Sequence, residues 1–449
     1  MALVTLGFVA CRTPDAAGKP NVLMIVVDTL RWDHVGCYGY ARDTTPAVDR
    51  LAADAARFER AYSTASWTIP AVGSMISGLY PSHHTAISFD RELPGEIDTL
   101  AEILRGEGYA TAGIVSHSAI DSSHNFDQGF DVFLESEARG HDYVSTPGVT
   151  EQAVDQLVAL SSGDAPFFLF VHYFDPHYNY RRHPEFGFAA PSAGRLTGEE
   201  PMADLRRMEE ELTQDETQFL RDLYDEEIRF TDAGIGRLLD RFTDLGQLEN
   251  TIVVFTSDHG EEFLDHAHLG HTRSLYEELV RVPLIIRDPS RTGPGHVVQR
   301  PVSVVSLTPT LLDLVGIDPD SLGFQAGSLR ADLAGEDGVG AAQIFCEVDF
   351  VPLRKSRLVP EVHKRTVIEE RHKLIRDETS GLVEVYDLET DPGELRDLHE
   401  LRPEQAERLS RSLERAIEHA SSGEVDPSMR LIDDAEIERL KSLGYVGDR

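Results

Sequence analysis

The sequence predicts an α/β fold in which a large, mostly parallel sheet is flanked by helices and followed by a small C-terminal subdomain. Four apolar runs, each followed by polar residues, alternate with segments of helical periodicity over residues 21–340. Strands that are buried on both faces have continuous apolar sequences, and alternation with helices favours parallel pairing. With 449 residues, the chain is long enough to bury a large core.

The first predicted strand covers Asn21 to Val27 and is followed directly by Asp28. The other three are Thr111 to Val115 before Ser116-His117, Pro166 to Val171 before His172-Tyr173-Phe174-Asp175-Pro176-His177, and Thr251 to Phe255 before Thr256-Ser257-Asp258-His259. Open α/β sheets bind ligands at the carboxyl ends of their strands. The polar residues that follow these runs are therefore candidates for a functional site.

Helical periodicity predicts helices at Ala47 to Ala56, Ile97 to Gly106, Thr150 to Leu160 and Thr213 to Phe242. Between Arg181 and Asp204 the chain is polar and rich in Pro, Gly and Ala, which indicates a loop. In residues 341–449, strands are predicted at Gln343 to Val348, His363 to Ile368 and Leu382 to Tyr386, before a helix at Pro403 to Ser421. We expect these C-terminal strands to pair antiparallel, outside a catalytic domain of residues 21–340.

The stretch from Ser66 to Pro81 begins a helix with a hydroxyl side chain. Apolar residues recur there at helical spacing, at Ile69, Val72, Met75, Ile76 and Leu79. Pro70 suits a first turn, Thr68 has N-cap chemistry, and the helix is expected to end near Gly78. Backbone N–H groups at a helix N-terminus attract anions. Thr68 is therefore either a simple cap or a nucleophile that meets an anionic ester.

Residues 1–20 resemble a lipoprotein-type signal and linker, because a short apolar run ends at Cys11 and a polar segment follows. Two features depart from such signals: no Lys or Arg precedes Arg12, and Phe8 stands where leucine is usual. A genuine signal would anchor Cys11 to a membrane and place the protein in the periplasm or on the cell surface. Without it, a cytoplasmic location is expected.

The chain is strongly acidic, with 42 Lys and Arg residues against 78 Asp and Glu, a net charge of −36. Such a field disfavours nucleic acid as a partner and favours solubility. Apart from Cys11, only Cys37 and Cys346 are present, too few for a disulfide framework or a cysteine-based zinc site.

The order Thr68-Ile69-Pro70-Ala71-Val72, Ser77-Gly78 and Tyr80-Pro81 resembles the nucleophile motif of the sulfatase family of the alkaline phosphatase superfamily. That motif has Cys or Ser, any residue, Pro, Ser and Arg, followed by an apolar helix, Thr-Gly and Tyr-Pro. Other segments that resemble the family follow in its order from Asn21 to about Leu398, among them Thr45-Pro46, Arg281-Val282-Pro283-Leu284 and Asp391-Pro392-Gly393-Glu394.

Two departures from the motif bear on the chemistry. Thr68 replaces the Cys or Ser that sulfatases oxidise to formylglycine, and Val72 replaces the arginine. Threonine cannot form that aldehyde. The pattern is therefore similar to branches of the superfamily that use an unmodified threonine, such as nucleotide phosphodiesterases and phosphoglycerol transferases.

The resemblance implies one divalent cation bound by Asp28, Asp258 and His259, with Thr68 as a further ligand. Thr29 stands where sulfatases have a second Asp, and His259 where many have Asn. A nitrogen ligand and the loss of a carboxylate favour zinc or manganese over calcium. A second cation, with Asp175, His177 and His271 as ligands, is a minority hypothesis because the spacing differs from that of the two-metal phosphodiesterases.

The resemblance also implies roles for His177 and for His271, which stands where sulfatases commonly have lysine. Either could be a general acid or an oxyanion donor, whereas roles for His117, His266 and His268 stay open. The leading hypothesis is a metal-dependent hydrolase of phosphodiesters or related monoanionic esters, with a small anionic ester, glycan or lipid head group as substrate. The alternatives are a sulfate-ester hydrolase, a phosphoglycerol-type transferase and an inactive anion-binding scaffold. The oligomeric state is not predicted.

Overall fold

The computed structural model describes residues 18–139, 143–291, 293–336, 343–353, 358–423 and 425–432, together with residues 434, 436–437 and 440. Cys11 and most of the predicted signal lie outside the described residues. Within the part of the chain that is described, no helix combines the length and the apolar character needed to cross a bilayer.

The strands are β1 Asn21–Val27, β2 Ala56–Tyr62, β3 Arg91–Glu92, β4 Ala110–Ile114, β5 Val132–Leu134, β6 Phe167–Tyr173, β7 Thr251–Ser257, β8 Glu262–Phe263, β9 Leu269–Gly270, β10 Arg281–Arg287, β11 His296–Val298, β12 Val302–Ser303, β13 Gln343–Phe350, β14 Val362–Glu369, β15 His372–Asp377, β16 Val383–Asp387 and β17 Ser428–Met429. The α-helices are α1 Pro46–Ala52, α2 Thr68–Ser77, α3 Pro81–His84, α4 Leu100–Gly106, α5 Thr146–Leu160, α6 Met202–Arg207, α7 Gln214–Asp244, α8 Glu277–Val280, α9 Leu307–Leu314, α10 Arg330–Leu333 and α11 Pro403–Ala420.

The main sheet has nine strands in the order β11-β2-β10-β7-β1-β6-β4-β5, with β12 also paired to β2. From β7 to β5 all neighbours are parallel, and β10 runs antiparallel to both β7 and β2. This confirms the predicted mostly parallel sheet. Its central strands β6, β1 and β7 are buried throughout, which explains their continuous apolar sequences.

Each face of this sheet carries its own core. One face packs against α2, α4 and α9, and we call it the α2 face. The opposite face packs against α1, α5 and α7. All ten residues of α2 are buried, so this helix lies inside the protein rather than on its surface.

Residues 343–420 form the second sheet and its helix, as predicted. Strands β13 to β16 pair antiparallel in sequence order, and α11 packs on one face. The other face joins the core beneath α2, through residues such as Cys346 and Val348.

Ten of the seventeen strands in the described residues were not predicted, among them β2 and β10 of the main sheet. The helix predicted at Ala47 to Ala56 extended into the first residue of β2, whose sequence Ala-Arg-Phe-Glu-Arg-Ala-Tyr contains three charged residues. Strand β15 was not recognised, and its sequence His-Lys-Leu-Ile-Arg-Asp places polar residues at both ends. The predicted loop at 181–204 is irregular up to its end, where α6 begins at Met202.

Candidate active site

Three neighbouring strands direct polar side chains to the same edge of the α2 face. In β1, Val22, Met24 and Val26 pack on that face, and Asp28 continues the two-residue alternation just beyond the strand. In β7 the same alternation runs from Ile252 and Val254 to Asp258. The register pairs Val26 with both His172 of β6 and Thr256 of β7. Asp28 and Asp258 therefore lie close together. His172 is level with Val26, two residues before Asp28.

The two carboxylates are fully buried. Asp258 Oδ1 accepts hydrogen bonds from the backbone N–H groups of Thr29, at 3.2 Å, and His259, at 2.9 Å. Asp258 Oδ2 and both oxygens of Asp28 have no hydrogen-bond partner among the described residues. Burial raises the pKa of Asp28, and the charges of Asp258, Glu261 and Asp175 raise it further. A buried carboxylate without a partner is costly, so these oxygens fit a bound cation.

His259 directs a ring nitrogen toward the carboxylates of Asp28 and Asp258. Its Nδ1 donates to the carbonyl oxygen of Gly260 at 2.9 Å, which leaves Nε2 as the acceptor nitrogen. Nε2 lies 3.6 Å from Asp28 Oδ1 and 3.5 Å from Asp258 Oδ2. We call Asp28, Asp258, His259 and Thr68 the carboxylate–histidine cluster, and its oxygen and nitrogen donors suit a divalent transition metal.

Thr68 is the first residue of α2 and is fully buried. Trp67 occupies the N-cap position, and no side chain caps the helix. The Thr68 hydroxyl instead donates to His259 Nε2 at 3.3 Å. The capping interpretation of Thr68 is therefore wrong, and the hydroxyl is directed into the cluster. The predicted end of the helix is confirmed by Gly78, whose φ of 70° suits a C-terminal glycine.

The other two predicted histidines lie beside the cluster. The ring centroid of His271 is 4.5 Å from that of His259 and 4.9 Å from that of His177. His177 Nδ1 donates to the carbonyl oxygen of Tyr178 at 2.9 Å. The sequence thus identified a group of residues that the fold brings together.

His271 is held by a residue that sequence reasoning missed. Its Nδ1 lies 2.9 Å from Glu261 Oε1, and both side chains are fully buried. Burial raises the pKa of Glu261 to about 8, close to the range of an imidazole. This contact fixes the orientation of the His271 ring. Glu261 stands two residues after His259 and gives no motif signal of its own.

The second predicted metal set is not formed. The carboxylate of Asp175 accepts hydrogen bonds from the backbone and hydroxyl groups of Ser145 and Thr146, where α5 begins. Asp175 is thus engaged in capping a helix, which the sequence could not show because Ser145 is 30 residues away.

Two groups of buried potential ligands each have their ligand atoms within 4.8 Å of one another. One group is Asp28, His172 and Asp258, and the other is Asp28, His117 and His177. His117 Nε2 lies 3.9 Å from Asp28 Oδ2, while its Nδ1 accepts from the N–H of Ala119 at 2.8 Å. In the neutral ring Nε2 then carries the proton, so His117 is better suited to donate to an anion than to bind a metal.

The remaining histidines named by the sequence lie elsewhere. His266 Nδ1 lies 2.7 Å from Glu278 Oε1, and the His266 ring stacks on Tyr276. The side chain of His268 is 43% exposed and lies near Glu209. A cavity of about 710 Å³ is lined by Arg60, Arg281, Arg300 and other residues, none of which belongs to the cluster.

Two models of known protein families match the sequence of this chain. The model of the sulfatase family matches residues 20–317, and a model of the C-terminal region of N-sulphoglucosamine sulphohydrolase matches residues 265–422. The first match spans well over half of the chain, which therefore belongs to the sulfatase family.

Individual relatives give the same result. The uncharacterized sulfatase YidJ of Escherichia coli strain K12 is 27% identical over 344 residues, covering 67% of this chain and 68% of that protein. The ulvan-active sulfatase of Formosa agariphila is 30% identical over 339 residues, covering 69% of this chain and 64% of that protein.

Solved structures share the fold. BT4656, in complex with its substrate D-glucosamine-2-N,6-O-disulfate, aligns with a TM-score of 0.75 and 21% identity, covering 90% of this chain and 98% of that chain. The phosphonate monoester hydrolase of Agrobacterium radiobacter aligns with a TM-score of 0.73 and 23% identity, covering 92% of this chain and all of that chain (100%).

Proposed function

We propose that this member of the sulfatase family hydrolyses monoanionic phosphorus esters, namely phosphodiesters or phosphonate monoesters, with Thr68 as the nucleophile. The observation that carries the proposal is the buried Thr68 hydroxyl, which lies 3.3 Å from His259 Nε2 beside the unpaired oxygens of Asp28 and Asp258. An unmodified threonine hydroxyl at this position can form a covalent ester intermediate with the substrate.

Asp28, Asp258, His259 and Thr68 would hold a divalent cation, with zinc or manganese favoured by the nitrogen donor. Such an ion supplies positive charge to the nucleophile and to a non-bridging oxygen of the ester. The buried carboxylates have no other counter-charge within hydrogen-bond distance among the described residues, so the donor set fits an ion of this kind.

The side chains account for the rest of the reaction. Thr68 releases its hydroxyl proton to a histidine of the site, and its oxygen bonds to phosphorus while the bond from phosphorus to the leaving oxygen breaks. The leaving oxygen takes a proton from His177 or from His271, whose ring is oriented by Glu261. Water then attacks phosphorus and gives a proton to the histidine that protonated the leaving oxygen. The bond to Thr68 breaks, and the threonine oxygen regains its proton from the histidine that accepted it in the first step.

The preference for a monoanion follows from charge. Val72, in place of the motif arginine, is buried in the apolar core of the α2 face, and His271 stands in place of the lysine. A phosphate monoester dianion requires more compensating positive charge than a monoanion does. A sulfate ester is also a monoanion, but without formylglycine the covalent sulfate on threonine would have to be attacked directly by water.

The test compares four substrates with the same 4-nitrophenyl leaving group: a phosphodiester, a phosphonate monoester, a phosphate monoester and a sulfate. We expect kcat/KM to be highest for the diester or the phosphonate, with Thr68→Ala as the control for contaminating activity. Tenfold faster turnover of the sulfate, about 1.4 kcal/mol in barrier, would overturn this order.

Sulfate-ester hydrolysis is the second candidate, because the curated relatives described above are named as sulfatases. It requires the same site to act without the oxidised residue of the family motif. Mass spectrometry of the tryptic peptide that contains Thr68 should show an unmodified threonine, and product analysis with added alcohols distinguishes hydrolysis from transfer to an acceptor.

A further inference from the structure

His172 is a buried histidine at the candidate site to which neither the motif nor the proposed mechanism gives a role. It lies in β6 on the α2 face, in the register position paired with Val26 of β1. Its side chain is fully buried, and neither ring nitrogen has a hydrogen-bond partner among the described residues.

We infer that His172 is a further ligand of the cation, which then has two imidazole nitrogens, two carboxylates and the Thr68 oxygen around it. This inference rests on the proposed metal centre. Ligand atoms of His172, Asp28 and Asp258 all lie within 4.8 Å of one another. His172 Nε2 is 3.9 Å from Asp28 Oδ2, which is too long for a hydrogen bond but shorter than twice a metal–ligand bond of about 2.1 Å.

A structural histidine would satisfy its nitrogens within the protein, and His84 shows how this chain does so. His84 is also fully buried near α2. Its Nδ1 accepts from the N–H of Ala86 at 3.2 Å, and its Nε2 lies 3.2 Å from both Ser74 Oγ and the carbonyl oxygen of Pro70. His172 has none of these contacts, and an unsatisfied buried polar group costs about 1–3 kcal/mol. A bound cation removes that cost.

The two imidazoles approach the carboxylates from different strands. His259, after β7, faces Asp28 Oδ1 at 3.6 Å, whereas His172, in β6, faces Asp28 Oδ2 at 3.9 Å. Asp28, after the central strand β1, lies between them. A second nitrogen donor shifts selectivity away from calcium and magnesium, which prefer all-oxygen sites, toward zinc, cobalt or manganese.

The experiment measures metal affinity rather than turnover. Metal-free wild type, His172→Ala, His172→Gln and the control His84→Gln are titrated with Zn²⁺ against a chromophoric chelator, and their Co²⁺ forms are compared by visible absorption. We expect His172→Ala and His172→Gln to bind Zn²⁺ about 100-fold or more weakly, with an altered Co²⁺ spectrum. His84→Gln changes a buried histidine outside the proposed ligand set and should bind Zn²⁺ as wild type does.

Wild-type zinc affinity and an unchanged Co²⁺ spectrum in both His172 variants would overturn the inference. Circular dichroism of the metal-free proteins checks folding, and His172→Gln retains much of the side-chain volume if the alanine variant unfolds. Asp258→Ala distinguishes a failure of the His172 inference from a failure of the proposed metal centre. If it loses zinc while the His172 variants keep it, only the role of His172 fails; if it also keeps zinc, the proposed metal centre fails.

Discussion

Two buried polar clusters differ in whether the chain itself supplies the opposite charge. In the carboxylate–histidine cluster, Asp28 has no hydrogen-bond partner on either oxygen among the described residues. Elsewhere, Lys373 Nζ is fully buried and lies 3.2 Å from Glu277 Oε1 and 3.0 Å from Glu394 Oε1. We call Lys373, Glu277 and Glu394 the lysine junction, because it joins β15 of the second sheet to α8.

The lysine junction contains its own counter-charge. Glu394 Oε2 accepts from the N–H of Glu277 at 2.6 Å, and the hydroxyl of Tyr62 donates to Glu277 Oε2 at 3.2 Å. Burial works against the charge of Lys373, but Glu394 and Glu277 outweigh it and raise the pKa of the amine. Of the two acidic clusters, one is completed by the fold and stabilises it. The other is incomplete, which is typical of a site that binds a ligand.

The largest effect is expected for Thr68→Ala. The variant removes the proposed nucleophile but no helix cap, so kcat/KM should fall at least about 1,000-fold, about 4 kcal/mol, with the free energy of unfolding nearly unchanged. Thr99→Ala is the matched control, since the Thr99 hydroxyl caps α4. That variant should keep activity and lose about 1 kcal/mol of stability. Full activity in Thr68→Ala would place the chemistry elsewhere.

Lys373→Met should destabilise the protein strongly. It leaves Glu277 and Glu394 buried together without their cation, and breaking a buried ion pair costs about 3–5 kcal/mol. Denaturant unfolding measures the loss, and the folded variant should bind zinc as wild type does. A loss below about 1 kcal/mol, the size expected of an exposed pair, would show that the lysine junction is not a stabilising element.

Asp28→Asn should have the opposite effect on the metal-free protein. Neutralising a buried carboxylate that lacks a partner relieves both its desolvation and its repulsion with Asp258, so the free energy of unfolding should rise by about 1–2 kcal/mol. Unfolding in a chelator measures this, and a metal assay on the same sample should show lost zinc binding. A metal-free Asp28→Asn protein less stable than wild type would remove the contrast between the two clusters.

The smallest effect concerns the pair of His266 and Glu278 beside the lysine junction. Burial lowers the pKa of His266, but the hydrogen bond and charge of Glu278 outweigh it and raise that pKa to about 9. A folded-state pKa above the unfolded value of about 6.5 means that the pair stabilises fully below pH 6.5 and loses its contribution as pH rises through 9.

The measurement compares wild type with His266→Gln from pH 6 to pH 10. The wild-type advantage in the free energy of unfolding should shrink by about 1 kcal/mol, a figure that allows for solvent screening of a partly exposed pair. A constant difference across this range would show that His266 is not protonated in the folded protein.

The main elements of the site were predictable because they depend on local sequence. Strand β1 matches its prediction residue for residue. Asp28 and Asp258 each follow a buried strand, and the carboxyl ends of parallel strands lie at the same edge of a sheet. The start of α2 was predicted to within one residue, from helical spacing and from Pro70 in the first turn. The family resemblance added the roles that local pattern could not assign, and the family itself is confirmed by the matching model.

His172 was missed because the predicted strand ended at Val171, whereas β6 continues to Tyr173. Phe168 and Phe170 point to the α2 face, and extending this two-residue alternation to His172 would have placed its imidazole on the same face. Which face that is depends on how β6 pairs with β1, and this pairing joins residues about 146 apart, as in the contact of Phe167 with Asn21.

The sequence by itself determined the mostly parallel sheet, the polar ends of its strands and the helix that begins with Thr68, because these follow from periodicity and from the chemistry of neighbouring residues. Only the tertiary structure decided that Asp175 caps α5, that Glu261 orients His271, and that His172 joins Asp28 and Asp258. Each of these depends on side chains from different elements meeting at hydrogen-bond or ligand distance. Strand register and helix packing set such distances, and no local pattern encodes them.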